Sequence, residues 1–247
     1  MKILVCIKPD VSGEEIGPFE NLALEAGLCL KEDCSLAGME NCRVDAVTAG
    51  PSAWADCIHR ALGMGADKGI HILTEPSEDD GGLTPASLTA GRLGAFVSSA
   101  EIPYDLILTG VMSQDLMAGQ TGPMLAAHLD MACATAVVRT EIRDNILVAR
   151  REWEEGYRET LEVELPALVS VQAGFYIPRY PTLSHMLKAK SKPVVAVNGE
   201  DLGSRSSGER FSGLTAPAQL REGKIIRGSI EDQVLAFKTF LKQRALV

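Results

Sequence analysis

The sequence has little of what most metal and redox centres require. It contains four scattered histidines, and none of its six cysteines belongs to a C-x-x-C pair. The cysteine spacings match no zinc or iron–sulfur pattern, so no metal site is expected. Most of the cysteines lie inside apolar runs, which favours their being small buried hydrophobic side chains. The cysteines are Cys6, Cys29, Cys34, Cys42, Cys57 and Cys133.

Long basic runs and long apolar runs are also missing. The net charge of −9 disfavours nucleic acid and anionic membranes as partners. No apolar run approaches the ~20 residues of a membrane span, so no membrane insertion is expected. The first ten residues, MKILVCIKPD, lack the long apolar region and cleavage site of a signal peptide. These observations predict a cytoplasmic protein.

Recognisable catalytic motifs are absent as well. The chain has no GxSxG nucleophile elbow, no HExxH helix and no motif that pairs a cysteine with a histidine. Acidic residues cluster at 152–155, but arginines flank them, which is typical of a charged hairpin surface. No catalytic residue is therefore predicted, and the chain is not expected to be an enzyme with its own substrate turnover.

The first half of the chain alternates between strand and helix patterns. Such alternation predicts a mostly parallel sheet flanked by helices, because parallel strands need crossover connections. The expected class is α/β and Rossmann-like, of the adenine nucleotide alpha hydrolase-like type. Strands are predicted at 3–7, 44–49, 69–73 and 105–109, and helices at 20–32, from Ser52 onward, at 87–100 and at 120–129.

The second half predicts shorter strands and then a separate helix. Short strands are expected at 135–140, 146–151 and 160–164, with a turn at Gly156, before a buried strand at 167–171. Ser229 is a predicted N-cap for the last helix. The predicted organisation is an α/β nucleotide-binding domain at 1–198, an exposed linker at 199–228, and a C-terminal helical arm at 229–247 that packs on a partner subunit or on its own domain.

The loop after the fourth predicted strand is the strongest candidate binding segment. It is neither GxxxxGK[ST] nor GxGxxG, yet Gly119 and Gly122 bracket the start of a helix. Backbone N–H groups there can hold a phosphate, and the Thr121 hydroxyl can add a hydrogen bond. Gln114, Asp115 and Gln120 are candidates for contacts with a ribose or a base. A plain turn with a helix cap explains the same residues, so both interpretations stay open here.

Three segments together resemble the β subunit of electron transfer flavoproteins. They are AGPSAWADCIHRALGMGADKGIHI, DLILTGVMSQDLMAGQTGPMLAAHL, and RREWEEGYRETLEVELPALVSV followed by PRYPTLSHMLKAKSKP. The resemblance covers nearly the whole chain. It implies a heterodimer with an α subunit, an FAD shared with that subunit, and a second nucleotide in this chain. That nucleotide would be AMP, or a second FAD in an electron-bifurcating type.

The resemblance also implies electron transfer partners and binding residues. Electrons would come from an acyl-CoA-type or other dehydrogenase and pass to a quinone-linked or other oxidoreductase. Leu183 would anchor in a hydrophobic pocket of the dehydrogenase, and the last helix would embrace the α subunit. The nucleotide would be bound by Cys6, Gly17, Pro18, Phe19, Glu20, Ala49, Gly110, Val111, Met112, Ser113, Gln114, Asp115, Gly119, Gln120 and Thr121.

The sequence departs from the family pattern at several points. Between Lys8 and Gly17 it has only PDVSGEEI, where the family has a longer hairpin near the flavin. Gly17 replaces the usual asparagine. Gln120-Thr121 resembles the AMP type and Gly122-Pro123 the bifurcating type.

Two other interpretations share the broad fold. A universal-stress-type module would bind ATP as a homodimer without flavin, and it leaves the hairpin and the PRYPTL segment without a role. An adenylating enzyme of the ATP-pyrophosphatase kind would need an S-G-G-x-D-S-type loop, which CIKPDVSG does not supply.

Overall fold

The structure of the chain is a computed structural model. It describes residues 1–36, 38, 41–75, 84–143, 145–203, 215, 223 and 225–244. The chain divides into two compact units, Met1–Phe211 and Ser212–Val247. Much of the predicted linker at 199–228, and the last three residues of the predicted arm, lie outside the described residues.

The first unit is an α/β domain, as predicted, with nine strands and five α-helices in its described part. The strands are β1 Lys2–Cys6, β2 Arg43–Gly50, β3 Lys68–Leu73, β4 Leu106–Gly110, β5 Ala132–Arg143, β6 Ile146–Glu152, β7 Arg158–Glu164, β8 Ala167–Val171 and β9 Val194–Asn198. The helices are α1 Pro18–Leu36, α2 Ala55–Met64, α3 Ala86–Ser98, α4 Thr121–Leu129 and α5 Leu183–Lys190.

All nine strands form one sheet in the order β7-β6-β5-β8-β4-β1-β2-β3-β9. The seven strands from β5 to β9 in this order are parallel, and β5, β6 and β7 pair antiparallel as the predicted hairpins. The order reverses between β1 and β4, since β1 pairs with both β2 and β4. In open α/β sheets, ligands bind beyond the carboxyl ends of the strands at this kind of switch point.

Two hydrophobic layers cover the sheet. Residues of α1 and α2 pack in one core cluster with inward-facing residues such as Val5 and Leu108. Residues of α3 and α4 pack in a second cluster with the alternate residues, such as Leu4 and Ile107. Both faces of the central strands are therefore buried, which explains why these strands have continuous apolar runs rather than alternation.

Two details differ from the sequence-based expectation. Ser52 does not cap a helix: it begins a short 3₁₀ turn, Ser52–Trp54, and α2 starts only at Ala55. Strand β9 was not predicted at all. It pairs in parallel with β3 at the edge of the sheet, and none of its residues is fully buried, although its sequence VVAVN is largely apolar.

The second unit contains α6, Ile230–Gln243, and Ser229 is its N-cap as predicted. Ser229 and Asp232 form a reciprocal capping box that satisfies two backbone N–H groups. None of the α6 residues is buried, although Val234, Phe237 and Phe240 are apolar. Across both units, no helix in the described ranges is long and apolar enough to cross a membrane.

Candidate functional site

A cleft lies at the carboxyl ends of β1 and β4, at the switch point of the sheet. It measures about 790 Å³, counted with the solvent at its mouth. The β4–α4 connection forms one wall, and the starts of α1 and α3 form others. The lining residues are Cys6, Ile7, Lys8, Glu20, Val47, Ala49, Trp54, Thr84, Ala86, Thr89, Leu93, Thr109, Gly110, Val111, Met112, Ser113, Leu116, Ala118, Gly119, Gln120, Thr121 and Gly122.

The N-terminus of α4 opens into this cleft. The first N–H groups of an α-helix have no intrahelical acceptor, and Gln120 at the N-cap position makes no side-chain capping bond. The first turn carries no acidic residue, so its partial positive charge is not cancelled locally. The Thr109 hydroxyl is buried beside Gly122 and has no hydrogen-bond partner within the described part of the chain. Donors are thus available for an anionic group.

Glu20 places a buried carboxyl group in the same cleft. Its side chain is only 6% exposed, and Oε2 lacks a hydrogen-bond partner among the described residues. Burial raises the pKa of Glu20 to about 7, because the nearby Lys8 and the Glu20 N–H offset the cost of desolvation only in part. Oε2 lies in the space that a side chain at Gly17 would fill. Because Gly17 has no Cβ, there is room beside it for the glutamate carboxyl group of residue 20.

The short connection after β1 is tied to the β4–α4 loop. Lys8 forms an ion pair with Asp115, and its ammonium group lies 5.3 Å from the centre of the Trp54 ring. The Val11 N–H donates to Gln114 Oε1 at 3.2 Å. Burial alone would raise the pKa of Asp115, but hydrogen bonds and the charge of Lys8 hold it below its ordinary value. Although the β4–α4 loop contains no lysine, the segment after β1 therefore supplies one to this cleft.

The structure brings together most of the residues predicted to bind a nucleotide. Ten of them line the cleft: Cys6, Glu20, Ala49, Gly110, Val111, Met112, Ser113, Gly119, Gln120 and Thr121. The other five lie beside it. Gly17 contacts the Glu20 carboxyl group, Pro18 begins α1, Phe19 packs near Gly110, and Gln114 and Asp115 are engaged by Val11 and Lys8.

Other lining residues were missed by sequence reasoning. Lys8 and Thr109 stand at the carboxyl ends of predicted strands, which was a usable signal. Trp54 of the 3₁₀ turn and the α3 residues Ala86, Thr89 and Leu93 gave no such signal, because only the packing of that turn and of α3 brings them to this edge.

A second feature is the exposed segment that leads from β8 into α5. Leu183 opens α5 and is 77% exposed, and Ile177, Tyr180 and Leu187 nearby are exposed apolar side chains as well. Thr182 caps the helix by accepting a hydrogen bond from the His185 N–H. These four exposed apolar side chains, which lie within eleven residues of the chain, are called the Leu183 surface: Ile177, Tyr180, Leu183 and Leu187.

Arg179 anchors this segment to α1. Its backbone N–H donates to Glu25 Oε2 at 3.0 Å, and its guanidinium group contacts both Glu25 oxygens at 2.8–3.1 Å. Glu32 accepts a further bond at 2.6 Å. Glu25 is buried, and burial alone would raise its pKa, but Arg179 outweighs burial and lowers it. The Leu183 surface is therefore held by a partly buried ion pair.

This fold and cleft define an α/β protein with a site suited to a phosphorylated ligand. The sequence profile of the electron transfer flavoprotein domain matches residues 8–202. The chain is 34% identical over 208 residues to the electron transfer flavoprotein subunit beta of Homo sapiens, covering 81% of this chain and 78% of that one.

Plant relatives agree with this match. The mitochondrial subunit beta of Arabidopsis thaliana is 35% identical over 208 residues, covering 81% of this chain and 78% of its own length. That of Oryza sativa subsp. japonica is 33% identical over 255 residues, covering 95% and 96%. The chain belongs to the electron transfer flavoprotein family, and the match extends through the hairpin and the PRYPTL segment.

Proposed function

We propose that this chain is the β subunit of a heterodimeric electron transfer flavoprotein, located in the cytoplasm. It pairs with an α subunit, and the two chains share an FAD that supplies the redox chemistry when bound. The dimer accepts electrons from a dehydrogenase of the acyl-CoA type or another type, and it passes them to a quinone-linked or other oxidoreductase. The chain acts as a carrier subunit without substrate turnover of its own.

The cleft at the switch point is the observation that carries the nucleotide assignment. Its donors suit a phosphate: the free N–H groups at the start of α4, the Thr121 hydroxyl, and the Thr109 hydroxyl, which has no partner among the described residues. Its apolar and aromatic lining, including Trp54 and Leu93, suits a nucleoside. We assign AMP to this cleft, with a second FAD as the alternative that a bifurcating protein would use.

The exposed apolar surfaces suit the two protein partners. The amphipathic helix α6 has apolar side chains that are not buried in this chain, and we assign it as the arm that packs on the α subunit. The Leu183 surface suits a dehydrogenase, because an exposed leucine flanked by basic residues and prolines can enter an apolar pocket of a partner while the surrounding charges orient it.

Electron transfer from a dehydrogenase tests this function. In the purified heterodimer, a dehydrogenase supplied with its substrate should bleach the flavin absorbance. Leu183→Ala should raise the KM for the dehydrogenase roughly tenfold or more, since truncating an interface anchor costs about 2 kcal/mol. The flavin content should stay unchanged, because Leu183 lies outside the cleft.

A matched control is available on the same chain. Leu36, at the end of α1, is 87% exposed, and Leu36→Ala removes the same atoms from a different surface. This control should leave the KM unchanged. Equal effects from both substitutions would contradict the docking assignment, and a flavin that no dehydrogenase reduces would contradict the electron carrier function.

A further inference from the structure

The Glu20 carboxyl group is the one acidic side chain in the wall of the cleft, within the residues described. Glu20 lies in the first turn of α1, and it lines the same cleft as the β4–α4 loop, which ends at Thr121. An anionic ligand at the start of α4 would share the cleft with this buried carboxyl group. Two negative charges lining one cleft repel each other unless one of them is neutralised.

The groups around Glu20 do not neutralise it. Lys8 is the nearest cation among the described residues, but it is already paired with Asp115 on the facing loop. Cys6 of β1 lines the cleft, and Cys57 of α2 is close enough for the charge of Glu20 to act on it; burial raises the pKa of each thiol to about 12, so both are uncharged near neutral pH. A carboxylate at position 20 would therefore be a buried negative charge that Lys8 and the Glu20 N–H compensate only in part, with Oε2 unpartnered among the described residues.

The position of the carboxyl group is fixed by packing. Its Oε2 occupies the space beside the Gly17 Cα, and Gly17 is itself held by a 2.8 Å hydrogen bond from its N–H to the Lys8 carbonyl oxygen. The residue is only 6% exposed, so its carboxyl group is held away from solvent. Protonation is the less costly way to remove the charge.

We propose that Glu20 must carry a proton when a phosphorylated nucleotide binds in the cleft, so that binding takes up one proton from solvent and weakens as the pH rises. This inference rests on the nucleotide site of the proposed function and adds a regulatory property to it. The burial-raised pKa of about 7 places the transition in the neutral range. Below this pH the Glu20 carboxyl group is protonated and does not repel the phosphate. Above it, each further pH unit weakens nucleotide affinity about tenfold.

The experiment measures AMP affinity against pH on the heterodimer after its nucleotides have been removed and its FAD restored. Isothermal titration calorimetry between pH 6 and pH 8.5 should show an affinity roughly tenfold weaker at pH 8 than at pH 6. Repeating the titration at pH 7.5 in two buffers of different ionisation enthalpy should show proton uptake on binding.

Glu20→Gln is the matched variant, because it keeps the shape of the side chain and cannot ionise. Its affinity for AMP should vary by less than about twofold across the same range, once the ionisation of the AMP phosphate, common to both proteins, is included. Glu20→Asp keeps a titratable carboxyl group, so its AMP affinity should still depend on pH. If Glu20→Gln lost the pH dependence only because it folds poorly, Glu20→Asp would show that a substitution at this position can be tolerated. Thermal unfolding of each variant provides the folding control.

The possible results separate this inference from the nucleotide assignment. Tight binding that is independent of pH in the wild-type protein, or an equal pH dependence in Glu20→Gln, would overturn proton-linked binding and leave the nucleotide site intact. A loss of affinity in Glu20→Gln at every pH would show that the carboxylate accepts a hydrogen bond from the ligand, which also overturns the inference. If neither AMP nor FAD binds at any pH, the site assignment fails together with the inference.

Discussion

Gly110→Ala is expected to disrupt the cleft and to lower the nucleotide affinity of the heterodimer at least roughly tenfold. A Cβ at position 110 would lie 2.9 Å from the Glu20 nitrogen, the Phe19 carbonyl carbon and the Phe19 Cβ. Two of these atoms belong to the backbone, so no side-chain rotation relieves the contact. The start of α1 must move away from the end of β4, which costs about 1–3 kcal/mol of folding free energy.

The readouts are the nucleotide retained after purification and the unfolding midpoint. Gly91→Ala is the matched control: Gly91 lies inside α3, and a Cβ at this position would meet no atom of the described residues within 4 Å. That substitution should stabilise the protein by about 0.5–1 kcal/mol, since alanine favours a helix interior over glycine. A Gly110→Ala protein with full nucleotide content would contradict the role given to this close approach.

Arg179→Met is expected to destabilise the chain by about 2 kcal/mol at pH 7. The substitution leaves the Glu25 carboxylate, only 7% exposed, without its partner. Breaking a buried pair costs about 3–5 kcal/mol, and we lower this figure because the Arg179 side chain is 34% exposed. The Leu183 surface also loses its anchor, so electron transfer from the dehydrogenase should slow together with the loss of stability.

The stabilisation that the pair of Arg179 and Glu25 provides depends on pH. Arg179 holds the pKa of Glu25 below 4.5, so the stability that the pair contributes is present above pH 4.5 and is lost as the pH falls through the lowered value. The difference between wild type and Arg179→Met should therefore shrink in acid. Glu32→Gln removes the more exposed contact of the same arginine and should cost under about 1 kcal/mol. Equal losses for the two substitutions, measured by chemical denaturation, would contradict the buried-pair account.

The parallel half of the fold could be predicted because strands that are buried on both faces consist mainly of apolar residues. β1 and β4 contain continuous apolar runs, β2 and β3 are apolar or β-branched at most of their buried positions, and each strand is followed by a helical pattern. Strand β9 was missed although residues 194–197 form a short apolar run, because it follows the proline-rich segment and precedes no helical pattern of its own; the structure places it at the sheet edge with most residues exposed. Ser52 was predicted to cap the next helix because it follows Gly50-Pro51. In the structure it belongs to the 3₁₀ turn Ser52–Trp54, which precedes α2.

The candidate site was predictable where it follows strand ends and where the family resemblance supplied residues such as Glu20. The rule that ligands lie beyond the carboxyl ends of parallel strands pointed to the β4–α4 loop, and the family resemblance added Cys6; both line the cleft at one edge of the sheet. The ion pair of Lys8 with Asp115 and the contact between Glu20 and Gly17 depend on side-chain packing between distant segments. No periodicity or local motif reports such contacts, so they emerged only from the structure.

The most direct test is the nucleotide content of the heterodimer. This chain is co-expressed with its α subunit, the purified complex is denatured, and the released FAD and AMP are quantified per dimer. The account predicts one FAD and one AMP, or two FAD if the cleft holds a flavin and the protein bifurcates electrons. A complex that releases one FAD and no second nucleotide, or neither nucleotide, would contradict the assignment of the cleft between β1 and β4.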